Sequence, residues 1–571
     1  MDIRSTDETV LWEEIMLQVR DAVSGGRAIV DALIANGVDT VFGLPGAQTY
    51  PLFDALALST ERIRTYGARH EQASGYMAFG YARSTGRPGV FSVVPGPGVL
   101  NAGAALITAL GCCAPVLMIT GGVPSTFEGR GRGHLHEIPD QLGLLRRMTK
   151  WSARIERVED APALVNEAFW QMLTGRPGPV ALEMAWDSMA ATAVVEPLGA
   201  AVIPSATEPD AAAVEAAARL LVSARRPMIM TGSGAQHAAE EVRALATLLD
   251  APVTALRGGR GIVAEGEPLG LSSAVAHRLY PKTDVVVGIG TRLELPTMRW
   301  AGMMTYHERL PGGRKLVRID VDPEEMVRLK ADAPVLADAK AGVRALIEAI
   351  GRLSVDGPNR DVGAVHMEIA EAKAAVGAEI AKVQPEVDYL HAIRAALPDD
   401  GFFLTELCQA GFTSYFAWEA RQPRTYVSEG YQGTLGYGFP TALGVKVAHP
   451  ERKVVAVCGD GGFMFGVQEL ATAAQEGIAV VVVVFDNGAY GNVRRDQRTR
   501  FEGRFIASEL CNPDFLKLAE AFRIKAYWVT SPGELAAILP TAFAAEETVL
   551  VHVAVPPDSE ASPWPFIHPA P

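Results

Sequence analysis

The 571-residue sequence predicts an α/β protein of three doubly wound domains, each built on a parallel sheet. Short apolar runs alternate with Ala-rich helical stretches. The runs are apolar throughout, as strands covered by helices on both faces require. Two turn-forming stretches interrupt the rhythm. The runs are GVFSVV at 89–94, PVLMITG at 115–121, PMIMTG at 227–232, DVVVGIG at 284–290, KVVAVCGD at 453–460 and IAVVVVVF at 478–485. The interruptions, at 191–210 and 351–363, place the domains at 25–190, 205–350 and 365–556. The first two dozen residues and a tail at 557–571 lie outside this pattern. Four prolines in DSEASPWPFIHPAP bar a regular helix there. The tail is either disordered or an extended strap packed by Trp564 and Phe566.

The 66 acidic and 52 basic residues give a net charge of −14, and no Lys/Arg-rich block offsets it. This argues against nucleic-acid and anionic-membrane partners. The five cysteines, Cys112, Cys113, Cys408, Cys458 and Cys511, are odd in number and lack CxxC spacing. They read as buried thiols of a reducing compartment rather than a disulfide framework. The polar N-terminus has no apolar signal region, and no run of about 18 apolar residues occurs. The expected location is cytoplasmic.

In the first domain Glu71 follows Arg69-His70 and opens a small-residue helix with Ala73, Gly75, Ala78, Gly80 and Ala82. A buried strand follows and ends in Gly96-Pro97-Gly98. Alone, Glu71 reads as a helix N-terminal carboxylate favoured by the dipole. The middle domain holds PMIMTGSGAQ and VVVGIGTRLELP, strands leading into Gly-rich loops, a weak nucleotide signal. The third domain carries the clearest chemistry. A strand runs into Gly459-Asp460-Gly461-Gly462, a helix around 467–475 follows, and a second strand ends at Asp486-Asn487-Gly488. In such a βαβ unit both loops leave the same sheet edge. With neighbouring strands about 4.8 Å apart, Asp460 and Asn487 can ligate one ion. A carboxylate, an amide oxygen and a backbone carbonyl suit Mg²⁺ or Ca²⁺ when phosphate completes the shell. Gly461 and Gly462 let backbone N–H groups approach a diphosphate. Singly, GDGG is most often a turn and DNG a hairpin; AYGNVRRDQRTR supplies no alternating strand for a hairpin, and the pair is far more specific.

The segment 459–487 resembles the thiamine-diphosphate motif, GDG followed about 25 residues later by NN. That motif belongs to acetolactate synthases, 2-oxo acid decarboxylases, benzaldehyde-lyase-like enzymes and related lyases. HEQ-helix-GYAR-strand-GPG, FGLPGAQTYPLFDAL and GTLGYGFPTALG extend the resemblance along most of the chain. It implies pyrimidine-binding, central Rossmann-like and diphosphate-binding domains in that order. It also implies that Asp460, Asn487 and the Ala489 carbonyl hold Mg²⁺. Gln409, Gly459, Gly461, Gly462, Asn487, Tyr490 and Gly491 would contact the diphosphate side. Gly433 would offer its carbonyl to the aminopyrimidine, and Leu435 would prop the cofactor in its bent shape. Pro45, Pro97 and Asn101 would line the wall beside Glu71. Glu71 would be the acid that hydrogen-bonds the aminopyrimidine ring, so that the ring's amino group can take the C2 proton. Asp486 stands where the family has its first Asn; that position is not a side-chain ligand, so the departure should matter little. In the family the matches of Glu71 and Asp460 belong to different subunits, which implies a homodimer at minimum and a homotetramer as the expected assembly.

At substrate positions the sequence departs from acetolactate synthases. His136-Glu137 replaces Phe-Gln, Trp186 replaces a Lys, Asn492 replaces Met, and Asp496 replaces a pocket Trp. A pocket with His136, Glu137, Asn492, Arg494 and Asp496 suits a hydroxylated, charged or amidated substrate rather than simple pyruvate condensation. His136 matches the position of a catalytic Gln in a benzaldehyde-lyase-like relative and would relay protons; read alone it is equally a solvated loop histidine. Asn492 is the other candidate for a catalytic role. The central domain binds FAD in some family members, ADP in others and nothing in many. The FAD binders often show RFDDR where this chain has Arg292-Leu293-Glu294-Leu295, which counts against FAD; Thr291, Arg292 and Asp320 would be the nucleotide contacts. Cys408 and Cys458 read as packing residues. The expected activity is a Mg²⁺- and thiamine-diphosphate-dependent C–C lyase or carboligase acting on a 2-oxo acid or 2-hydroxy ketone. The rivals are an FAD-linked oxidase and a non-catalytic subunit, the latter disfavoured by intact Glu71, Asp460 and Asn487.

Overall fold

The computed structural model describes residues 22–205, 208–353 and 361–569. The chain folds as two compact units. The first takes in the described residues up to 78, with 88–110 and 115–203; the second takes in 79–87, 111–114 and the described residues from 204 onward.

The first unit holds a six-stranded parallel sheet of β1 (Thr40–Gly43), β2 (Arg64–Gly67), β3 (Gly89–Val93), β4 (Val116–Gly122), β5 (Trp151–Ile155) and β6 (Val180–Ala185). Their spatial order is β2-β1-β3-β4-β6-β5. Strands β3 and β6 are buried along their whole length, which is why their sequences lack alternation. Val23–Ser24 and Thr192–Ala193 add a small antiparallel pair.

The second unit holds two further parallel sheets. One contains β7 (Pro227–Thr231), β8 (Val253–Thr254), β9 (Gly270–Leu271), β10 (Val285–Ile289), β11 (Lys315–Asp320) and β12 (Ala333–Leu336), in the order β9-β8-β7-β10-β11-β12. This 3-2-1-4-5-6 arrangement is that of a dinucleotide-binding fold. The other contains β13 (Phe402–Thr405), β14 (Tyr426–Val427), β15 (Val454–Gly459), β16 (Val481–Asp486), β17 (Lys525–Val529) and β18 (Val549–Ala554), in the order β14-β13-β15-β16-β18-β17. The first and third sheets thus repeat one layout, and the middle sheet has its own.

Two buried arginines tie the middle sheet's loops to the third sheet. Arg260, 3% exposed, donates to Glu265 at 2.7 Å and to the Ser414 carbonyl at 2.8 Å, and lies 4.2 Å from the Tyr426 ring. Arg257 makes a two-oxygen pair with Glu294 at 2.6 and 2.8 Å and reaches the Gly430 carbonyl. Burial alone would lower both guanidinium pKa values, but Glu294 and Glu265 beside them raise both, so each arginine keeps its charge in the interior.

The described part of the tail, 557–569, is an ordered strap, and the last two residues lie outside the described ones. Phe566 stacks on Phe416 at 4.7 Å, Trp564 packs against Phe412 at 5.3 Å, and His568 receives a hydrogen bond from Arg299 at 2.7 Å. Despite its prolines it includes one helical turn, Trp564–Ile567, with Pro565 in the first turn where no N–H is needed. The cysteines are free thiols, but Cys458 alone is buried outright and Cys511 is exposed, so the uniformly buried reading is corrected. Among the described residues no helix is long and apolar enough to cross a membrane.

Candidate functional site

In the third sheet β15 and β16 pair in parallel, Gly459 opposite Phe485, which brings the ends of both strands together as the βαβ pattern predicts. Strand β13 lies on the other side of β15, so the chain order reverses between them. Such a switch point opens a crevice at the C-terminal strand ends. Into it lead Glu406–Gln409 from β13 and Gly459–Gly462 from β15. A Cβ on Gly459 would lie 2.9 Å from Cys408 Cβ, one on Gly461 would lie 2.5 Å from the Tyr490 ring, and one on Gly462 would lie 2.9 Å from the Glu406 carboxyl. Backbone without side chains therefore lines this edge.

Asp460 begins the short helix Asp460–Phe463 and is 3% exposed. Burial pushes its carboxyl up to about 6, against the hydrogen bond from Asn512 Nδ2 to Oδ2 at 2.7 Å. The same Asn512 Nδ2 reaches Asp486 Oδ1 at 2.8 Å. Burial also raises Asp486, but donation from His552 Nε2 at 3.0 Å, the Gly488 N–H at 3.0 Å and Asn512 outweighs it and holds that carboxyl at about 2. Asn487 accepts the Ala489 N–H at 3.1 Å through Oδ1 and donates from Nδ2 to Glu560 Oε2 at 2.5 Å. Tyr490 N–H bonds the Ser508 carbonyl and Leu510 N–H the Gly488 carbonyl, a pairing that does not use the Ala489 carbonyl. The helix α1 (Gly491–Arg500) starts directly after. Asn492 is engaged: its Oδ1 accepts from Trp564 Nε1 at 2.7 Å and from Arg495 at 2.6 Å. Asp496 pairs with Arg495 at 3.1 Å, and Arg494 pairs with Glu509 at 2.6 Å. On the loop 428–437, Gly433 and Gly436 adopt φ of 62° and 78°, and the Gly436 N–H is held by Glu406. Leu435 is half-buried beside them.

The donors present fit a divalent ion carrying a diphosphate. Gln409 Oε1 is buried with no hydrogen-bond partner, and Gln409, Asn487, Ala489 and Gly491 line one pocket. Among the described residues no cluster of three His, Cys, Asp or Glu side chains forms a metal site. One carboxylate, one amide and one carbonyl are a different, hard-oxygen donor set.

In the first unit Glu71 begins the helix Glu71–Thr85 and accepts Asn101 Nδ2 at 3.0 Å through Oε2. Pro97 begins the helix Pro97–Gly111, and the two helices meet closely at Gly75, where a Cβ would lie 2.6 Å from Ala105 Cβ. Pro45 is exposed on the loop after β1. His136 has φ 64° and its Nδ1 lies 2.9 Å from Gln48 Oε1, while Gln48 Nε2 donates to the Leu135 carbonyl at 2.7 Å. Burial lowers the His136 pKa, opposed by the charge of Glu71. His136 is therefore an anchored ring rather than a solvated one. Glu137 accepts the Gly131 and His134 N–H groups at 3.0 and 2.9 Å, ordering the Gly-rich loop before it.

In the middle sheet Thr291, Arg292 and Asp320 are committed to local contacts. Thr291 and Arg292 carbonyls accept from Arg318 and Arg328, the Arg292 guanidinium lies 4.7 Å from the Tyr431 ring, and Asp320 accepts the Asp322 N–H.

Sequence reasoning missed Gln48, Asn512, His552 and Glu560. Asn512 stands in an Asn-Pro turn signal and His552 interrupts an apolar strand; Gln48 and Glu560 carry no local signal at all.

Comparison with known families accounts for these arrangements. The thiamine pyrophosphate enzyme models match in order along the chain: the N-terminal TPP binding domain at 23–144, the central domain at 214–346 and the C-terminal TPP binding domain at 408–553. The chain is 35% identical over 521 residues to a probable 2-ketoarginine decarboxylase, AruI, of Pseudomonas aeruginosa, covering 90% of each protein. It is 31% identical over 563 residues to a probable acetolactate synthase large subunit of Methanocaldococcus jannaschii, covering 95% of this chain and 93% of that one. It is also 31% identical over 564 residues to the acetolactate synthase isozyme 2 large subunit of Escherichia coli, covering 96% and 98%. The chain belongs to the thiamine-diphosphate-dependent enzymes that include acetolactate synthases and 2-oxo acid decarboxylases.

Proposed function

We propose that this enzyme uses Mg²⁺ and thiamine diphosphate to cleave the carboxyl group from a 2-oxo acid with a polar side chain. In this reading a 2-hydroxy ketone is the related substrate or product when a second carbonyl captures the fragment. When bound, thiamine diphosphate supplies a carbon nucleophile and an electron sink beside the substrate carbonyl. The chain's own residues do the rest. Asp460, Asn487 and the Ala489 carbonyl hold the ion, and the Gly459–Gly462 edge with Gln409 and Gly491 receives the diphosphate. Glu71, steadied by Asn101, holds a proton at the pyrimidine ring. His136, its pKa lowered by burial and its ring anchored by Gln48, exchanges a proton with the substrate oxygen. The reading calls on no flavin, since Arg292-Leu293-Glu294-Leu295 stands where the flavin-binding relatives often show RFDDR. The assembly it requires is a homodimer at least, expected as a homotetramer in the cytoplasm. The domain limits 25–190, 205–350 and 365–556 belong to the same proposal.

The observation that carries it is the juxtaposition of buried Asp460 with Asn487 and the orphaned Gln409 oxygen at one sheet edge. The polar residues at 136, 137 and 496, together with the similarity to a protein named for 2-ketoarginine, favour a polar or cationic side chain over pyruvate. The test is CO₂ release from a panel of 2-oxo acids, each assayed with Mg²⁺ and thiamine diphosphate. Turnover of 2-ketoarginine or a similarly polar acid well above that of pyruvate is expected. Acetolactate formation from pyruvate as the best reaction would overturn the specificity, and no cofactor-dependent CO₂ release from any acid would overturn the activity.

A further inference from the structure

We propose that Asn512 and Glu560 are positioning residues of the divalent-cation site, each fixing one protein ligand from behind. The inference rests on Asp460, Asn487 and Ala489 being the ion's ligands. An asparagine amide offers an oxygen at one end and an NH₂ at the other, and only the oxygen ligates a hard cation. A half-turn about the last side-chain bond would present the wrong end. Glu560, from the C-terminal strap, accepts Asn487 Nδ2 at 2.5 Å on one side of the amide, while the Ala489 N–H faces it on the other. The flipped amide would set its NH₂ against the Ala489 N–H and lose both bonds, so Glu560 and that N–H together fix which end Asn487 presents as Oδ1. That oxygen also receives the Ala489 N–H at 3.1 Å, which brings the Ala489 carbonyl into the same turn.

Asn512 does the matching work at Asp460. Its single NH₂ spends one hydrogen on Asp460 Oδ2 and the other on Asp486 Oδ1, at 2.7 and 2.8 Å. The Asp460 carboxylate is thereby oriented through Oδ2. The donor between two carboxylates also offsets their repulsion before a cation arrives. Asp486 is fixed in turn by His552 and the Gly488 N–H. The Asp at 486 is thus part of a support that includes His552, rather than a neutral exchange for Asn.

The experiment is a Mg²⁺ titration of thiamine diphosphate binding, followed by calorimetry at saturating cofactor, beside the melting temperature of the cofactor-free protein. Glu560→Ala and Asn512→Leu should each raise the Mg²⁺ concentration for half-saturation by about 10–100-fold. The cofactor-free melting temperature of Glu560→Ala should stay that of the wild type, whereas that of Asn512→Leu should fall as the two carboxylates lose their shared donor. Glu560→Gln still carries an accepting oxygen and should recover most of the affinity lost in Glu560→Ala. Unchanged Mg²⁺ dependence in Glu560→Ala, or weakening that only tracks a fall in melting temperature, would overturn the proposal. Binding of the cofactor by wild type without any divalent ion would overturn the underlying ligand assignment as well.

Discussion

Single side chains carry the sharpest expectations. Glu71→Gln should bind thiamine diphosphate within a few-fold of wild type yet lose about 100-fold or more in hydrogen–deuterium exchange at C2, read by NMR. Asp460→Ala should lose cofactor binding itself at ordinary Mg²⁺ concentrations. Glu386 gives a pH dependence of stability. It is 1% exposed, both carboxyl oxygens lack hydrogen-bond partners, and burial, with the nearby charge of Glu560, pushes it up to about 8. A carboxyl whose folded pKa lies above its ordinary value near 4.5 binds its proton more tightly in the folded state. Its contribution is present below that value and is lost as pH rises through about 8. Glu386→Gln should therefore match wild type near the acid end of this window and gain on the order of 2 kcal/mol above it, in denaturant titrations at the two pH values. Equal gains at both would contradict the burial argument.

At the scale of elements, the strands and both halves of the GDG and DNG pair were legible because each is a local pattern. An all-apolar run such as Val481–Asp486 declares a buried parallel strand, and glycine after a strand declares a close turn. The supports were not legible, because they arrive from remote segments. Asn512 lies 52 residues beyond Asp460, and Glu560 lies 73 beyond Asn487. No spacing rule links such residues; the parallel order of β15, β16 and β18 brings Glu560 round, and Asn512 arrives on the segment between the helices Gly491–Arg500 and Phe515–Ala521. Asn492 shows the converse: its place after the motif suggested chemistry, whereas its oxygen is taken by Trp564 and Arg495. The strap could be read as ordered or disordered from composition, and its aromatic stacking decides for order. Phe566→Ala removes the stack on Phe416, so amides at 557–569 should exchange about tenfold faster while those of β15 and β16 stay protected.

For the whole molecule, the proposed pairing of Glu71 with Asp460 from separate chains makes a complementation test available. Glu71→Gln and Asp460→Ala, each inactive alone, should recover up to about a quarter of wild-type activity when co-expressed, since half of random dimers are mixed and each mixed dimer has one intact site. No recovery from verified mixed dimers would place both groups on one chain. The two buried arginines bear on motion at the same scale. Arg257 and Arg260 spend their donors on Glu294, Glu265 and carbonyls of the third-sheet region in a water-poor interior. Prising the middle and third sheets apart would leave both ion pairs on the middle-sheet side and strip the two guanidinium ions of the Gly430, Ser414 and Trp418 carbonyls. A clamshell opening along that seam would leave buried guanidinium donors unpaired, so the seam behaves as a weld rather than a hinge.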